Sequence, residues 1–415
     1  MAREYKHSGI EWIGEIPKEW IPARFRYSGC FIKGKLPATQ NNENKGFPVI
    51  GASEMLGKEP RLYTEDSNIP MCSDEDILIL WDGANAGIIA NKCKGAVSST
   101  AVKYSCTDKR FNKQYMFYLL KNAEPFFKSK VGGTTIPHMN TRYIDEYLCI
   151  LPTLSEQQKI ADYLDKVCGE VDEMIALQEQ MIEELKAYKQ SVITEAVTKG
   201  LNPNTPMKDS GIDWIKELPE NWEVVTPKAL FSLRKEKAIE GERQLTASQQ
   251  YGVIYQDEYM QLTGTKVVTV MKDFDILKHV EAGDFVISMR SFQGGLEYSE
   301  NTGSISSAYV MLIPNLEYVH PKFYRWLFKS VCYINALQST SNMVRDGQAM
   351  RYSNFAQVPL YIVPLKEQQS IASYLDEKCA EIDALIAIKQ AKIEELKEYK
   401  KSVIYEYVTG KKEVV

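Results

Sequence analysis

The sequence predicts an α+β protein: two mixed α/β globules separated by a long antiparallel two-helix coiled coil, with a pseudo-two-fold, circular order of parts. Three observations predict this. A long helical stretch occurs twice, a short apolar motif opens each half, and the intervening stretches carry the same strand and helix landmarks at a common offset.

The helical stretch runs from Glu156 to about Thr198 and again from Glu367 to about Thr409, with 26 of 43 positions identical at an offset of 211. Neither copy contains proline, and both are rich in Glu, Lys, Leu, Ile, Ala and Gln, which favour helix. Apolar residues stepping by threes and fours place Leu164, Cys168, Val171, Ile175, Ile182, Leu185 and Val192 on one narrow stripe. Leu375, Cys379, Ile382, Ile386, Ile393, Leu396 and Val403 form its counterpart. Such a stripe is a pairing seam, here interrupted at Gln178/Lys389 and Lys189/Lys400. At ~1.5 Å per residue each helix spans about 65 Å, too long to stand alone. The two copies therefore pair with each other, antiparallel because a domain's worth of chain lies between them.

Before each globule comes a clip, SGIEWIGEIPKEW at 8–20 and SGIDWIKELPENW at 210–222, identical at eight of thirteen positions. Its proline and two tryptophans suit a packed apolar element rather than a reactive site. The globules read as strands and turns. Asp76–Leu80, Ala96–Val97 and Ala101–Tyr104 are strands in the first, Asp284–Ile287, Ser304–Ile305 and Tyr309–Ile313 in the second. Helical aromatic stretches follow at Tyr115–Lys121 and Phe323–Lys329, and all three landmarks share an offset of 208. The boundaries are residues 1–152 for the first clip and globule, 153–199 for the central helix, 200–363 for the second clip and globule, and 364–415 for the last helix. The junction GLNPNTPMK resembles what joining the chain's end to its start would produce, so the sequence reads as a circle cut once.

The chain has 415 residues, 44% hydrophobic and 25% charged, enough for two or three domains with cores. No apolar run reaches the ~20 residues of a membrane span, and the polar start lacks the core of a signal peptide, so a cytoplasmic location is expected. Eight cysteines without a CxxC pair read as free, mostly buried thiols. The net charge of −5 comes from the helices: they carry −5 (156–199) and −3 (367–410), leaving +3 elsewhere and +4 for residues 21–151. A mildly basic intervening region is compatible with nucleic-acid binding.

Motifs for chemistry are missing. There is no GxxxxGK[ST] loop, HExxH, GxSxG or glycine-rich cofactor loop, and His7, His138, His279 and His320 are scattered. The sequence reads as a non-enzyme without metal or cofactor. Two other classes remain: a tandem-domain coiled-coil adaptor for non-DNA ligands, and an enzyme with cryptic chemistry in the globules.

The repeated clip, the helix start EQQKIADYLD and the helix end YKQSVITEAVTKGL together closely resemble the specificity (S) subunit of Type I restriction–modification systems, over nearly the full length. The resemblance implies a prokaryotic DNA-recognition subunit whose two target-recognition domains each read half of a bipartite, non-palindromic site in double-stranded DNA. It implies helices that set the spacer and dock two methyltransferase (M) subunits, and it admits restriction (R) subunits as further partners. Adenine-N6 methylation with S-adenosylmethionine would then belong to the M subunit, and cleavage to R.

Candidate DNA-binding residues follow from comparing the globules. Asp76–Gly83 aligns with Asp284–Ser291; the apolar positions keep their character while the end changes from Trp81-Asp82 to Met289-Arg290. Arg290 suits guanine, Gln293 and Asn85 suit adenine, and Asp82 suits cytosine. Ser98, Ser99, Ser306 and Ser307 are candidate phosphate or base contacts, and Lys92, Lys94 and Lys103 candidate phosphate partners. Two loops before the long helices add Thr135, His138, Asn140 and Arg142 in the first half, and Asn342, Arg345, Gln348 and Arg351 in the second.

Overall fold

A computed structural model describes residues 3–10, 13–132, 137–270, 276–288, 291–340 and 350–414. The chain divides into two compact units, one of residues 1–179 with 390–415 and one of residues 180–389. Each unit contains one clip, one mixed α/β region and half of each long helix. No helix among the described residues is long and apolar enough to cross a membrane.

The long helices run Leu154–Lys199 and Leu365–Val408. The first starts on a capping box: the Glu156 N–H donates to Thr153 Oγ1, and the Thr153 N–H to Glu156 Oε2. Gly200 and Gly410 follow the helix ends at φ +77° and +71°, the left-handed turn that releases a helix. A side chain at Gly410 would also meet the Pro17 ring at 2.5 Å and Trp20 Cζ3 at 2.9 Å, so close packing requires glycine there as well.

The seam residues divide by depth. Leu164, Cys168 and Val171 are buried, as are Ile182, Leu375, Cys379, Ile382 and Ile393, whereas Ile175, Leu185, Ile386 and Leu396 are only half-buried. Toward their ends the helices also pack on the globular regions; in the middle they have less cover. In the first unit Tyr163 stacks near Tyr407 at 4.5 Å between centroids, and Asp172 meets Lys400 at 2.6 Å, so the segments run antiparallel. In the second unit Lys189 meets Asp383 at 2.6 Å. Burial pushes the Cys168 and Cys379 thiols up to about 11, as inert seam fillers.

Both units build the same antiparallel four-stranded sheet. The order is 29–33, 101–106, 77–80, 89–90 in the first and 231–233, 310–314, 285–287, 297–298 in the second. Ile77–Leu80 is buried on both faces: Ile77 and Ile79 join the core that includes the long helices, Leu78 and Leu80 a second core. That explains an apolar run without alternation. Phe285 and Ile287 face one core in the second unit and Val286 another. The observed strands 95–97, 303–305 and 310–314 and the helices 113–122 and 321–327 lie where the sequence landmarks place them.

Each clip is a two-stranded hairpin, Tyr5–His7 with Glu15–Pro17 and Met207–Ile212 with Ile215–Pro219. Trp20 and Trp222 are buried at 1% and 0%, and each indole N–H donates at 3.2 Å to the first acid of a long helix, Glu156 or Glu367. Trp12 lies outside the described residues, and Trp214 donates to the Pro359 carbonyl at 3.2 Å.

The next residue of each helix start ties the globular region to the helix. Gln157 accepts from the Asn112 N–H at 2.7 Å and donates to the Arg110 and Pro152 carbonyls at 2.9 Å. Gln368 accepts from the His320 N–H and donates to the Tyr318 and Val363 carbonyls, all at 2.7 Å. Both glutamines are fully buried. Tyr118 and Trp326 likewise donate to Asp165 and Asp376. These equivalent contacts identify the two units as copies of one plan.

Candidate nucleic-acid interface

At one end of the first unit's sheet, four backbone segments converge. The Gly34 N–H donates to the Ala101 carbonyl at 3.0 Å, and the Trp81 N–H to the Thr100 carbonyl at 2.8 Å. The Gly83 N–H donates to the Pro137 carbonyl at 2.9 Å, and the Met139 N–H to the Trp81 carbonyl at 3.0 Å. A Cβ at Gly34 would overlap the Val97 and Ser98 carbonyl oxygens, so the first of these segments can approach only as glycine. Trp81 and Met139 are buried beneath the loops.

On this floor stands a polar cluster. Asp82 Oδ1 bonds His138 Nδ1, and its other oxygen lies 3.2 Å from Lys33 Nζ. The His138 and Lys33 side chains are 53% and 51% exposed against 22% for Asp82, so the carboxylate sits lower and the two nitrogen bases stand out. Ser98 and Thr100 share a hydroxyl–hydroxyl bond of 2.8 Å beside them. Asn85 is exposed in the following turn. Asn140 caps the helix Thr141–Glu146 by accepting from the Arg142 N–H at 2.9 Å, and Arg142 itself is exposed. Ser99 is half-buried within the same turn as Ser98.

Lys92, Lys94 and Lys103 do not join this cluster. Strand 89–90 returns antiparallel to 77–80, which carries Lys92 and Lys94 to the opposite end of the sheet. There Lys92 lines a cleft of about 280 Å³ with Gln114, Asp165 and Asp172, and adopts a left-handed φ of 56°. Lys103 is mostly covered and lies 3.6 Å from Asp76. Burial raises the Asp76 pKa, but hydrogen bonds from Ser105 and Ser73 and the charge of Lys103 leave it below the ordinary value.

In the second unit Gln293 is exposed on the short helix Ser291–Gly294, and Ser306 and Ser307 are exposed in the turn before Val310. Arg351 is exposed, its backbone N–H donating to Asn354 Oδ1 at 3.0 Å. Thr135, Arg290, Asn342, Arg345 and Gln348 lie outside the described residues. Sequence reasoning passed over Lys33, a single lysine at a strand end whose only signal is its equivalence to Lys235. Arg234, one residue before Lys235, serves structure: it is 8% exposed among Asp284, Glu281 and Glu236. Among the described residues no group of His, Cys, Asp and Glu could hold a metal.

The family model described as "Type I restriction modification DNA specificity domain" matches this chain twice, over residues 28–187 and 219–398. The Type I restriction enzyme MjaVIII specificity subunit of Methanocaldococcus jannaschii is 28% identical over 95% of this chain and 93% of its own length. The EcoBI specificity subunit of Escherichia coli is 22% identical over 83% and 76%. A chain solved in work on complex assembly and conformational transition of the type I R-M system superposes with a TM-score of 0.66. It is 16% identical and the match covers 95% of this chain and 98% of that one, a likeness of fold.

Proposed function

Because the chain belongs to the Type I restriction modification DNA specificity family, we propose that it is the non-catalytic specificity subunit of a Type I complex, with each mixed domain reading one half of a bipartite, non-palindromic DNA site. One observation carries the reading of two different half-sites. The two units share sheet order, helix anchors and clip contacts, while the residues aligned just beyond the matching strands 77–80 and 285–287 differ in sequence, Asp82 in one copy and Arg290 in the other. A retained scaffold with altered tips is what two readers of unlike sequences need.

The long helices are read as an antiparallel coiled coil that fixes the unread spacer and docks M subunits. They carry exposed apolar side chains that a lone helix pair has no reason to keep: Met174, Leu177 and Tyr188 on the first, and at the same offset Leu385, Ile388 and Tyr399 on the second. A surface that occurs twice takes its partner twice, giving two M subunits, which bring S-adenosylmethionine and the adenine-N6 chemistry, in a cytoplasmic assembly that admits restriction subunits as further partners. Native mass spectrometry of the subunit titrated with its M partner tests this. Two M per S is expected, and a single M at saturation contradicts it.

A further inference from the structure

Resting on the reading of this chain as a DNA-specificity subunit, we propose that His138, held by Asp82, is a base-reading residue of the first domain, and that it accepts a hydrogen bond from the exocyclic amine of an adenine or a cytosine in the major groove. Lys33 and the neighbouring Lys35 flank it as phosphate contacts.

Donor and acceptor chemistry gives the first support. An ionised carboxylate only accepts, so the bond between Asp82 Oδ1 and His138 Nδ1 places the ring proton on Nδ1. In the neutral ring Nε2 is then an acceptor. A phosphate oxygen is also an acceptor and gives such an atom nothing to bind. Base edges do: adenine N6 and cytosine N4 present amine donors in the major groove. The charge of Asp82 beside the ring further disfavours a phosphate there.

Geometry adds the second support. The ring stands at the end of the sheet, 53% exposed, and its edge meets the buried Trp81 with centroids 6.2 Å apart. Its backbone is held from both sides: the His138 N–H donates to the Gly132 carbonyl at 2.8 Å, and the next residue, Met139, bonds the Trp81 carbonyl. A reading side chain needs such fixing, because a mobile ring would lose discrimination to entropy. Lys33 Nζ, sharing Asp82, stands at the end of strand 29–33, and Lys35, exposed with Nζ 3.4 Å from the Asn68 carbonyl, lies just beyond it.

Internal comparison supplies the third. Met139 and Met350 are equivalent buried anchors at an offset of 211, yet the preceding positions are His138 and Ala349, and Asp82 corresponds to Arg290. The histidine–aspartate pair belongs to one copy only, as a specificity element of one half-site must.

The test uses the complex of this chain with its M partner, in competition binding to duplexes in which each base pair of both half-sites is varied in turn. His138→Ala is expected to lose about tenfold discrimination at a single base pair of one half-site, the cost of one lost base contact. The other half-site and the slope of log K against log salt should stay unchanged. Asp82→Asn, which frees the ring to choose its tautomer, should weaken discrimination at the same base pair, and Lys33→Gln should lower affinity uniformly and flatten the salt slope by about one unit. Thermal melts matching the parent show that the variants are folded. A uniform loss with a flatter slope for His138→Ala makes it a phosphate contact and overturns the proposal, as does unchanged discrimination. A parent complex that binds all duplexes alike overturns the DNA reading itself, a separate and recognisable failure.

Discussion

Lys189 in the first long helix reaches Asp383 in the second at 2.6 Å, and their counterparts 211 positions away, Lys400 and Asp172, meet at the same distance. Both lysines interrupt the apolar seam. The structure gives each interruption a purpose: the cation on one helix answers an acid flanking the seam of the other. The contact recurs with the helices' roles exchanged, as equivalence of the two helices requires, and it joins positions 17 residues apart in the repeat, which antiparallel helices bring together and parallel, in-register helices leave about 25 Å apart.

Exchanging the charges should therefore be tolerated where reversing one is not. Lys189→Asp places two acids together and should lower stability by about 1 kcal/mol, with Lys189→Asp/Asp383→Lys restoring most of it. Thermal unfolding of the three variants checks this. The value is small because the Asp383 side chain is 58% exposed.

The buried glutamines should matter far more. Gln157→Ala strands the Asn112 N–H and the Arg110 and Pro152 carbonyls, and is expected to cost about 2–4 kcal/mol in denaturant unfolding. Gln368→Ala should cost the same, since its three bonds are equivalent. An effect below 1 kcal/mol would mean water replaces the amide.

The fold was readable from the sequence wherever it rests on repetition: long helices, clips and the strands 77–80 and 285–287 stand where periodicity and offset place them. The candidate site was readable only in part. Asp82 and His138 were each visible as polar residues in a loop, but nothing in the chain between them foretells that they bond, because loop convergence is a tertiary fact. Lys92 and Lys94 show the converse: close in sequence to the strands that lead to the tip, they are carried to the other end by one reversal of chain direction. Gln157 was hidden because a helix-forming residue at a helix start needs no further explanation.

Acid should loosen the first clip. Burial raises the Glu156 pKa, but hydrogen bonds from Thr153, Trp20 and Arg3 outweigh it and leave the carboxyl below its ordinary value. Stabilisation from a depressed carboxylate is fully present above the unfolded pKa of ~4.3 and is lost as pH falls through the folded value. Stability of the parent should therefore decline below about pH 4.3 more steeply than that of Glu156→Gln, as read by Trp20 fluorescence during acid titration.

The circular order predicts tolerance to permutation. Lys411 Nζ donates to the Glu15 carbonyl at 2.7 Å, so the two ends of the chain lie together in one unit. Joining 414 to 3 with a short linker and opening the chain within 201–206 should leave the unfolding temperature and DNA specificity close to those of the parent. Loss of folding would show that the junctions are not equivalent.

The most direct measurement is the methylation motif in cells that carry this subunit with its M partner, for the parent and for a variant with four residues inserted after Gln178 and four after Lys389. The parent should give two unlike half-sites separated by unread base pairs. The insertion adds one helical turn and ~6 Å, and should return the same half-sites with a spacer longer by one or two base pairs at ~3.4 Å each. A continuous or palindromic motif in the parent, or an active variant whose spacer does not change, would contradict the account.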